Sequence, residues 1–253
     1  AALTALMMVG EIVAGVLFAA DGFAQTQSRC ADCHFANPGS VSASHLSEWD
    51  LSGHGRKNVG CETCHGGDPR SFEPFVAHKG ILARTNPASP VHPTNLPKTC
   101  GTCHTGPLVA FQRSKHYELL RAGNKNGPTC TTCHGEAAGT RLSPKALEGQ
   151  CATCHGAGKI APHPEFPARA RLADEGLREA RALLKDARNA IARVKDTVRR
   201  ASLEQAAQQA EVPLIEATQA GHAFVYDQLD ERLNTARARL AALFERLANP
   251  DAR

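Results

Sequence analysis

An all-α fold with much irregular structure is what this sequence predicts, and three observations carry the prediction. Beyond Arg169 the chain turns to Ala, Leu, Arg and Glu, with Leu177, Leu184, Ile191 and Val198 recurring at heptad spacing and Ala180, Ala187, Val194 and Ala201 between them. Apolar residues at that period line one face of a helix. From Gln25 to Pro164 the chain is instead rich in Gly, Pro, His and Thr with short apolar runs, the pattern of short helices and turns. Third, ten cysteines and twelve histidines stand against one Trp and two Tyr, so large side chains for a core are scarce.

In chain order, residues 1–24 come first. Ala1 to Ala20 is a long apolar stretch interrupted by Glu11, and Gly22-Phe23-Ala24 offers the small residues that a signal peptidase reads. This predicts a signal peptide, with an uncleaved membrane anchor as the rival reading, in which Glu11 would be costly at mid-membrane. Both readings place the remainder outside the cytoplasm, periplasmic or extracellular, and anchored through residues 1–20 in the second case.

Residues 25–165 hold all ten cysteines, in five copies of Cys-x-x-Cys-His: Cys30/Cys33/His34, Cys61/Cys64/His65, Cys100/Cys103/His104, Cys130/Cys133/His134 and Cys151/Cys154/His155. This is the attachment motif for haem c. Two thiols add across the vinyl groups as thioethers, and the next residue supplies the proximal imidazole. Disulfides need even cysteine numbers but no His after each second Cys. Zinc ribbons pair their Cys-x-x-Cys motifs, and five would leave one over. Cys151 to Gly158 also fits a chaperone zinc-finger pattern, but the other four motifs do not repeat its second glycine. Five haem c groups in so short a stretch cannot be enclosed by a separate protein core. The expectation is a pentahaem cytochrome c domain in which the porphyrins are the core, wrapped by short helices and turns.

Residues 166–253 read as a helical hairpin, a C-terminal pair of long antiparallel helices. The heptad stripe from Leu177 makes the first, with a small-residue seam that lets a neighbour approach closely, and Pro213 breaks or kinks it. Leu229, Leu233, Ala236, Leu240, Leu243 and Leu247 make the second, His222 and Tyr226 extend that stripe backwards, and Asn249-Pro250 ends it.

Each iron has a second face. The methionines, Met7 and Met8, both lie in the N-terminal apolar stretch, so a mature chain has no Met to offer and bis-histidine ligation is expected. Seven histidines stand outside the motifs. His54, His92 and His116 each precede a motif and lead the candidates, followed by His45 and His78, then His222 on the helical stripe; His163, between two prolines, ranks last.

Phe111 to His116 ahead of Cys130-Thr-Thr-Cys-His-Gly135, and Pro90-Val-His-Pro93 ahead of Cys100, resemble the multihaem cytochromes c of the hydroxylamine oxidoreductase and cytochrome c nitrite reductase superfamily and its electron-transfer members. The long C-terminal helices with a His near the second are similar too. Nitrite reductases of this type carry Lys for the proximal His at the catalytic haem, and here all five motifs end in His. Hydroxylamine oxidoreductase links a Tyr to its catalytic haem, and the tyrosines here, Tyr117 and Tyr226, carry no mark of that role. The resemblance implies the electron-transfer branch.

The expected function is therefore electron transfer through five covalently bound, mainly bis-His haems, with no catalytic residues assigned. The alternatives are a small oxidoreductase of nitrogen or sulfur oxyanions with one open haem, or a subunit of a polymeric haem filament joined through haem edges or the C-terminal helices. Redox proteins are the expected partners: a membrane quinol-oxidising cytochrome, a terminal reductase or an extracellular acceptor. A net charge of +4 does not suggest a nucleic-acid binder. Arg56, Lys57, Arg113 and Lys115 are candidates for pairing with haem propionates.

Overall fold

The computed structural model describes residues 29–249, apart from 38, 40, 138, 140 and 162. The predicted signal or anchor, with Met7 and Met8, lies outside the described residues. Among the described residues there are thirteen helices and no strand, only an isolated bridge between His155 and Ala161. No helix among them is long and apolar enough to cross a membrane.

Ten of the helices are short: α1 (Arg29–Ala36), α2 (Ala43–Asp50), α3 (Gly53–Arg56), α4 (Glu62–His65), α5 (Pro74–Ala77), α6 (Leu96–Gly101), α7 (Thr105–Phe111), α8 (Lys115–Arg121), α9 (Cys130–His134) and α10 (Pro144–Ala152). Their starts are written in the sequence. Ser52, Ser114 and Ser143 cap α3, α8 and α10 by accepting backbone N–H bonds, and Thr129 forms a capping box with Thr132 on α9. The buried apolar residues of this part are few: Ala31, Leu46, Trp49, Leu96, Ala110 and Leu120.

The contiguous apolar core lies further on, in three long helices where the sequence predicts two: α11 (Phe166–Ile191), α12 (Thr197–His222) and α13 (Tyr226–Ala248). The heptad stripe does not run through as one helix. It stops at Ile191, and Asp196 restarts the chain as an N-cap, its carboxylate accepting from the Arg199 N–H at 2.9 Å, so Val198 is left 80% exposed. Pro213, expected to break the helix, is instead buried inside α12. A proline withdraws the N–H that would serve the carbonyl four residues back. That carbonyl, on Gln209, accepts from Arg239 Nη1 of α13 at 2.5 Å, so no polar group is orphaned.

Cross-helix pairs fix the directions. Arg181 to Thr218 and Arg188 to Glu211 make α11 and α12 antiparallel; Arg199 to the Arg246 carbonyl and Arg239 to Gln209 do the same for α12 and α13; Arg169 to Asp227 and Arg237 to Glu179 set α11 and α13 parallel. The seam is alanine: Ala180, Ala187, Ala210, Ala217 and Ala236 are fully enclosed among Leu203, Leu229, Leu240 and Leu243. Gly176 is needed where α11 meets α13, since a Cβ there would stand 2.7 Å from Leu233 Cδ2.

The stripe extended backwards through His222 and Tyr226 is also divided. His222 ends α12, Tyr226 opens α13, and Phe224 between them is left-handed (φ 59°). The Phe224 N–H donates to the Gly221 carbonyl and the Val225 N–H to that of Ala220, the paired bonds of a Schellman turn with Phe in place of the usual Gly. The bundle is tied to the short-helix region by Asp174, 7% exposed, which receives Arg141 and Arg178 at 2.7 Å each while Arg178 also donates to the Leu142 carbonyl.

Candidate haem sites

Each Cys-x-x-Cys-His sits on one helical turn. The His65, His104 and His155 N–H groups donate to the carbonyls of Cys61, Cys100 and Cys151 at 2.9 Å, while the first and fourth motifs lie within α1 and α9. A turn of this kind brings residues i and i+3 to one side and i+4 beside them. Gly66 (φ 78°) and Gly135 (φ 81°) end the turn directly after His65 and His134, a conformation that other residues rarely adopt.

Every motif histidine faces a different histidine from elsewhere in the chain. Ring centroids lie 5.9 Å apart for His34 and His78, 6.0 Å for His65 and His45, 6.0 Å for His104 and His54, 6.3 Å for His134 and His222, and 5.9 Å for His155 and His116. Two metal–imidazole bonds of about 2 Å in line, plus about 1 Å from each nitrogen to its ring centre, separate centroids by about 6 Å. The five pairs have the span that an iron between them requires.

The outer nitrogens support the same arrangement. His78 Nδ1 donates to the Pro74 carbonyl at 2.9 Å, His222 Nδ1 to that of Thr218 at 2.8 Å and His54 Nδ1 to that of Ala137 at 3.3 Å. A proton held on Nδ1 leaves Nε2 with a free lone pair, the state of a metal-ligating imidazole. Burial, then the facing ring, holds His34, His65 and His116 below the usual imidazole range. His222 is lowered first by burial, against the pull of the Thr218 carbonyl. Neutral imidazole is the form that binds iron.

Of the remaining candidates, His92 joins none of these ring pairs; its Nδ1 lies 2.7 Å from Thr94 Oγ1. His163 lies 6.3 Å from His155 but stacks on Phe166 at 4.6 Å, with Nδ1 3.3 Å from Glu165. A local feature separates these cases. His54 and His116 each follow a buried serine by two residues, in Ser52-Gly-His and Ser114-Lys-His, and that serine caps the helix carrying the imidazole. Ser89, ahead of His92, instead donates its hydroxyl to the Leu82 carbonyl.

Successive motifs lie close enough for their thiols to influence one another electrostatically. Burial pushes the Cys61 thiol up to about 11, with Cys30 as the next cause, and raises Cys64 with Cys100 and Cys103 behind it. Cys100 and Cys130 share a side-chain hydrogen bond. Cys151 is likewise raised to about 11 by burial and then by Cys133. Each motif thus has a thiol near one of the motif that follows it in the chain.

Cys33, Cys103 and Cys154 each have a polar side chain of their own segment beside the sulfur. Asn37 Nδ2 lies 3.6 Å from Cys33 Sγ, Thr102 Oγ1 3.9 Å from Cys103 Sγ and Thr153 Oγ1 3.6 Å from Cys154 Sγ. Cys33 and Cys154 are half-buried, as are Cys30 and Cys151. Among the described residues, no three of His, Cys, Asp and Glu converge on a point as a tetrahedral zinc site would need.

The motifs and the matches below support a multihaem c-type cytochrome with covalently bound haem c. The family model of cytochrome c7 and related cytochrome c matches residues 85–156, and that of cytochrome c554 and c-prime matches residues 17–66. Between them the two stretches contain all five motifs. A C-type polyheme cytochrome, OmcC of Geobacter sulfurreducens, is 26% identical over 127 residues, which is 50% of this chain and 14% of that protein. The match thus spans about a seventh of that relative's length. No solved structure matches the chain.

Proposed function

We propose that this chain is a pentahaem electron-transfer cytochrome in which all five irons are bis-histidine ligated. The pairs are His34 with His78, His65 with His45, His104 with His54, His134 with His222, and His155 with His116. The observation that carries the reading is that every motif histidine faces a different second histidine at 5.9–6.3 Å, with His155 nearer to His116 than to His163, whose ring stacks on Phe166. When bound, haem c supplies a reversible one-electron iron couple, and axial histidine in place of methionine keeps its potential low.

The protein's own part is positional. Ten thiols, Cys33 and Cys154 among them, would hold the haems, and the paired imidazoles would ligate their irons. The carbonyls of Pro74, Thr218 and Ala137 hold the distal rings in their ligating tautomer. The electrostatic proximity of thiols in successive motifs supports a single file from the first motif to the fifth. The scarcity of buried apolar side chains between α1 and α10 supports a core made of the cofactors themselves. Redox proteins would meet the two ends of the file, outside the cytoplasm. The finer placement, with electron-transfer relatives of hydroxylamine oxidoreductase and ammonia-forming nitrite reductase, rests on the motif residues before His116 and Cys100.

The test is spectroscopic. Exported, purified protein should contain five haems by the pyridine haemochrome assay. Its oxidised electron paramagnetic resonance (EPR) spectrum should be low-spin throughout and unmoved by cyanide or nitrite. A ligand-sensitive high-spin iron would overturn full bis-histidine ligation in favour of an open, substrate-binding haem.

A further inference from the structure

Arg181 of α11 is a cation without a counter-ion of its own. Its Nη2 donates to Thr218 Oγ1 at 2.7 Å, and its Nη1 is buried with no hydrogen-bond partner. The nearby carboxylate is already taken: Arg141 Nη2 holds Asp174 Oδ1 and Arg178 Nε holds Oδ2, both at 2.7 Å. Three guanidiniums therefore surround one carboxylate, and Arg141 and Arg178 repel Arg181 across a half-buried site. A buried N–H on an uncompensated guanidinium is costly unless an anion answers it, and the fork of an arginine matches the two oxygens of a carboxylate.

The position says which carboxylate. Arg181 and His222 line the same cleft between α7, α11 and α12. They are joined through one residue, since Thr218 accepts Arg181 on its hydroxyl and His222 on its carbonyl. Arg141 reaches the same imidazole electrostatically. His222 faces His134, whose motif cysteines are Cys130 and Cys133.

We propose that Arg181, with Arg141 beside it, binds a propionate carboxylate of the porphyrin attached at Cys130 and Cys133, and so positions that haem and raises its potential relative to an unpaired site. The proposal rests on the haem reading above. The four basic residues that the sequence suggests for propionates, Arg56, Lys57, Arg113 and Lys115, do not include this pair. The same cluster could take a free inorganic oxyanion, and the experiment separates the two.

The holoprotein is titrated potentiometrically as wild type, Arg181→Gln, Arg181→Lys and Arg141→Gln, with each haem followed by its visible and EPR signals. Removing a cation beside a haem favours the oxidised form, so Arg181→Gln and Arg141→Gln should lower the same single midpoint and leave four in place. Arg181→Lys should lower it less. Five unmoved midpoints in Arg181→Gln, or an equal displacement in Arg181→Lys, would overturn the assignment. If Arg181→Gln does not load its haems, Arg141→Gln, half exposed at its side chain, decides in the same way. In parallel, inorganic phosphate is titrated into oxidised wild type at fixed ionic strength by calorimetry, and no saturable binding is expected. Saturable binding lost in Arg181→Gln would assign the cluster to a free oxyanion instead. A wild-type haem count below five would tell against the haem reading itself, whereas unmoved midpoints at a count of five tell against this proposal alone.

Discussion

His34 and His78 face each other with their rings 5.9 Å apart, although a complete Cys-x-x-Cys-His motif lies between them in the chain. The facing residue comes from a different segment from the motif it serves, and the same is true of His104 with His54 and His134 with His222. Each bound iron would then clip together stretches of chain that share few apolar contacts.

Replacement of His78 by Ala is expected to open one face of one iron. The oxidised EPR spectrum should gain one high-spin signal, with the other four irons low-spin, and that signal should respond to cyanide. His78→Met should restore a low-spin iron at a raised midpoint, because thioether ligation favours the ferrous state. A spectrum of His78→Ala that stays wholly low-spin would remove His78 from the ligand set.

His92→Ala is the matching control. Its ring contacts Thr94 and no motif histidine among the described residues. Spin states and all five midpoints should overlay those of the wild type in redox titration. A new high-spin iron would show that His92, rather than one of the five facing residues, completes a site.

Asp174→Ala should destabilise the union of bundle and short-helix region. The substitution leaves Arg141 and Arg178 unpaired beside Arg181. Loss of one partner from a fully buried ion pair costs about 3–5 kcal/mol, and the half-exposed arginines discount this to about 2 kcal/mol. Denaturant unfolding of the holoprotein measures it, and an unchanged midpoint would mean that Asp174 holds nothing together.

Pro213 and Arg239 should be coupled. With Pro213 present, Arg239→Ala strips the Gln209 carbonyl of its donor, for a loss of about 0.5–1.5 kcal/mol. In a Pro213→Ala background the helix supplies its own N–H to Gln209, so the same substitution should cost less. The four-protein cycle measured by chemical denaturation tests this; purely additive effects would refute the compensation.

Ala180, fully enclosed where α11 meets its neighbours, should resist enlargement. Ala180→Leu is expected to cost at least about 1–3 kcal/mol through forced displacement of the packed helices. Thermal unfolding against Ala→Leu at an exposed helix position is the comparison.

The haem motifs were legible because their chemistry is local: two thiols and an imidazole on one turn need no knowledge of the rest of the fold. The apolar stripe of α13, from Leu229 to Leu243, was legible for the same reason. The helix count was not. An Asp196 cap resets the helix in a stretch whose heptad pattern continues through it, and an arginine from another helix rescues the carbonyl that Pro213 strands. Both outcomes depend on local capping and tertiary contacts that hydrophobic period does not report. The partner of each motif histidine was illegible as well, since proximity in sequence to a following motif says nothing about which ring the fold sets opposite. A Ser-x-His pattern accompanies His54 and His116 among the facing residues, but His45, His78 and His222 carry no such mark.

The Schellman turn between α12 and α13 joins two sites by the shortest of links. His222 stands opposite His134, and two residues later the Phe224 ring, held out by its left-handed backbone, packs 4.2 Å from His116, which stands opposite His155. A rocking of the bundle against the short helices would tug on the His134–His222 and His155–His116 ring pairs together. The proposed fourth and fifth sites are thus tied to the three-helix bundle, as is the third through His104, the N-cap of an α7 that packs on α12, while the members of the first two ring pairs all lie before Lys79 among the short helices.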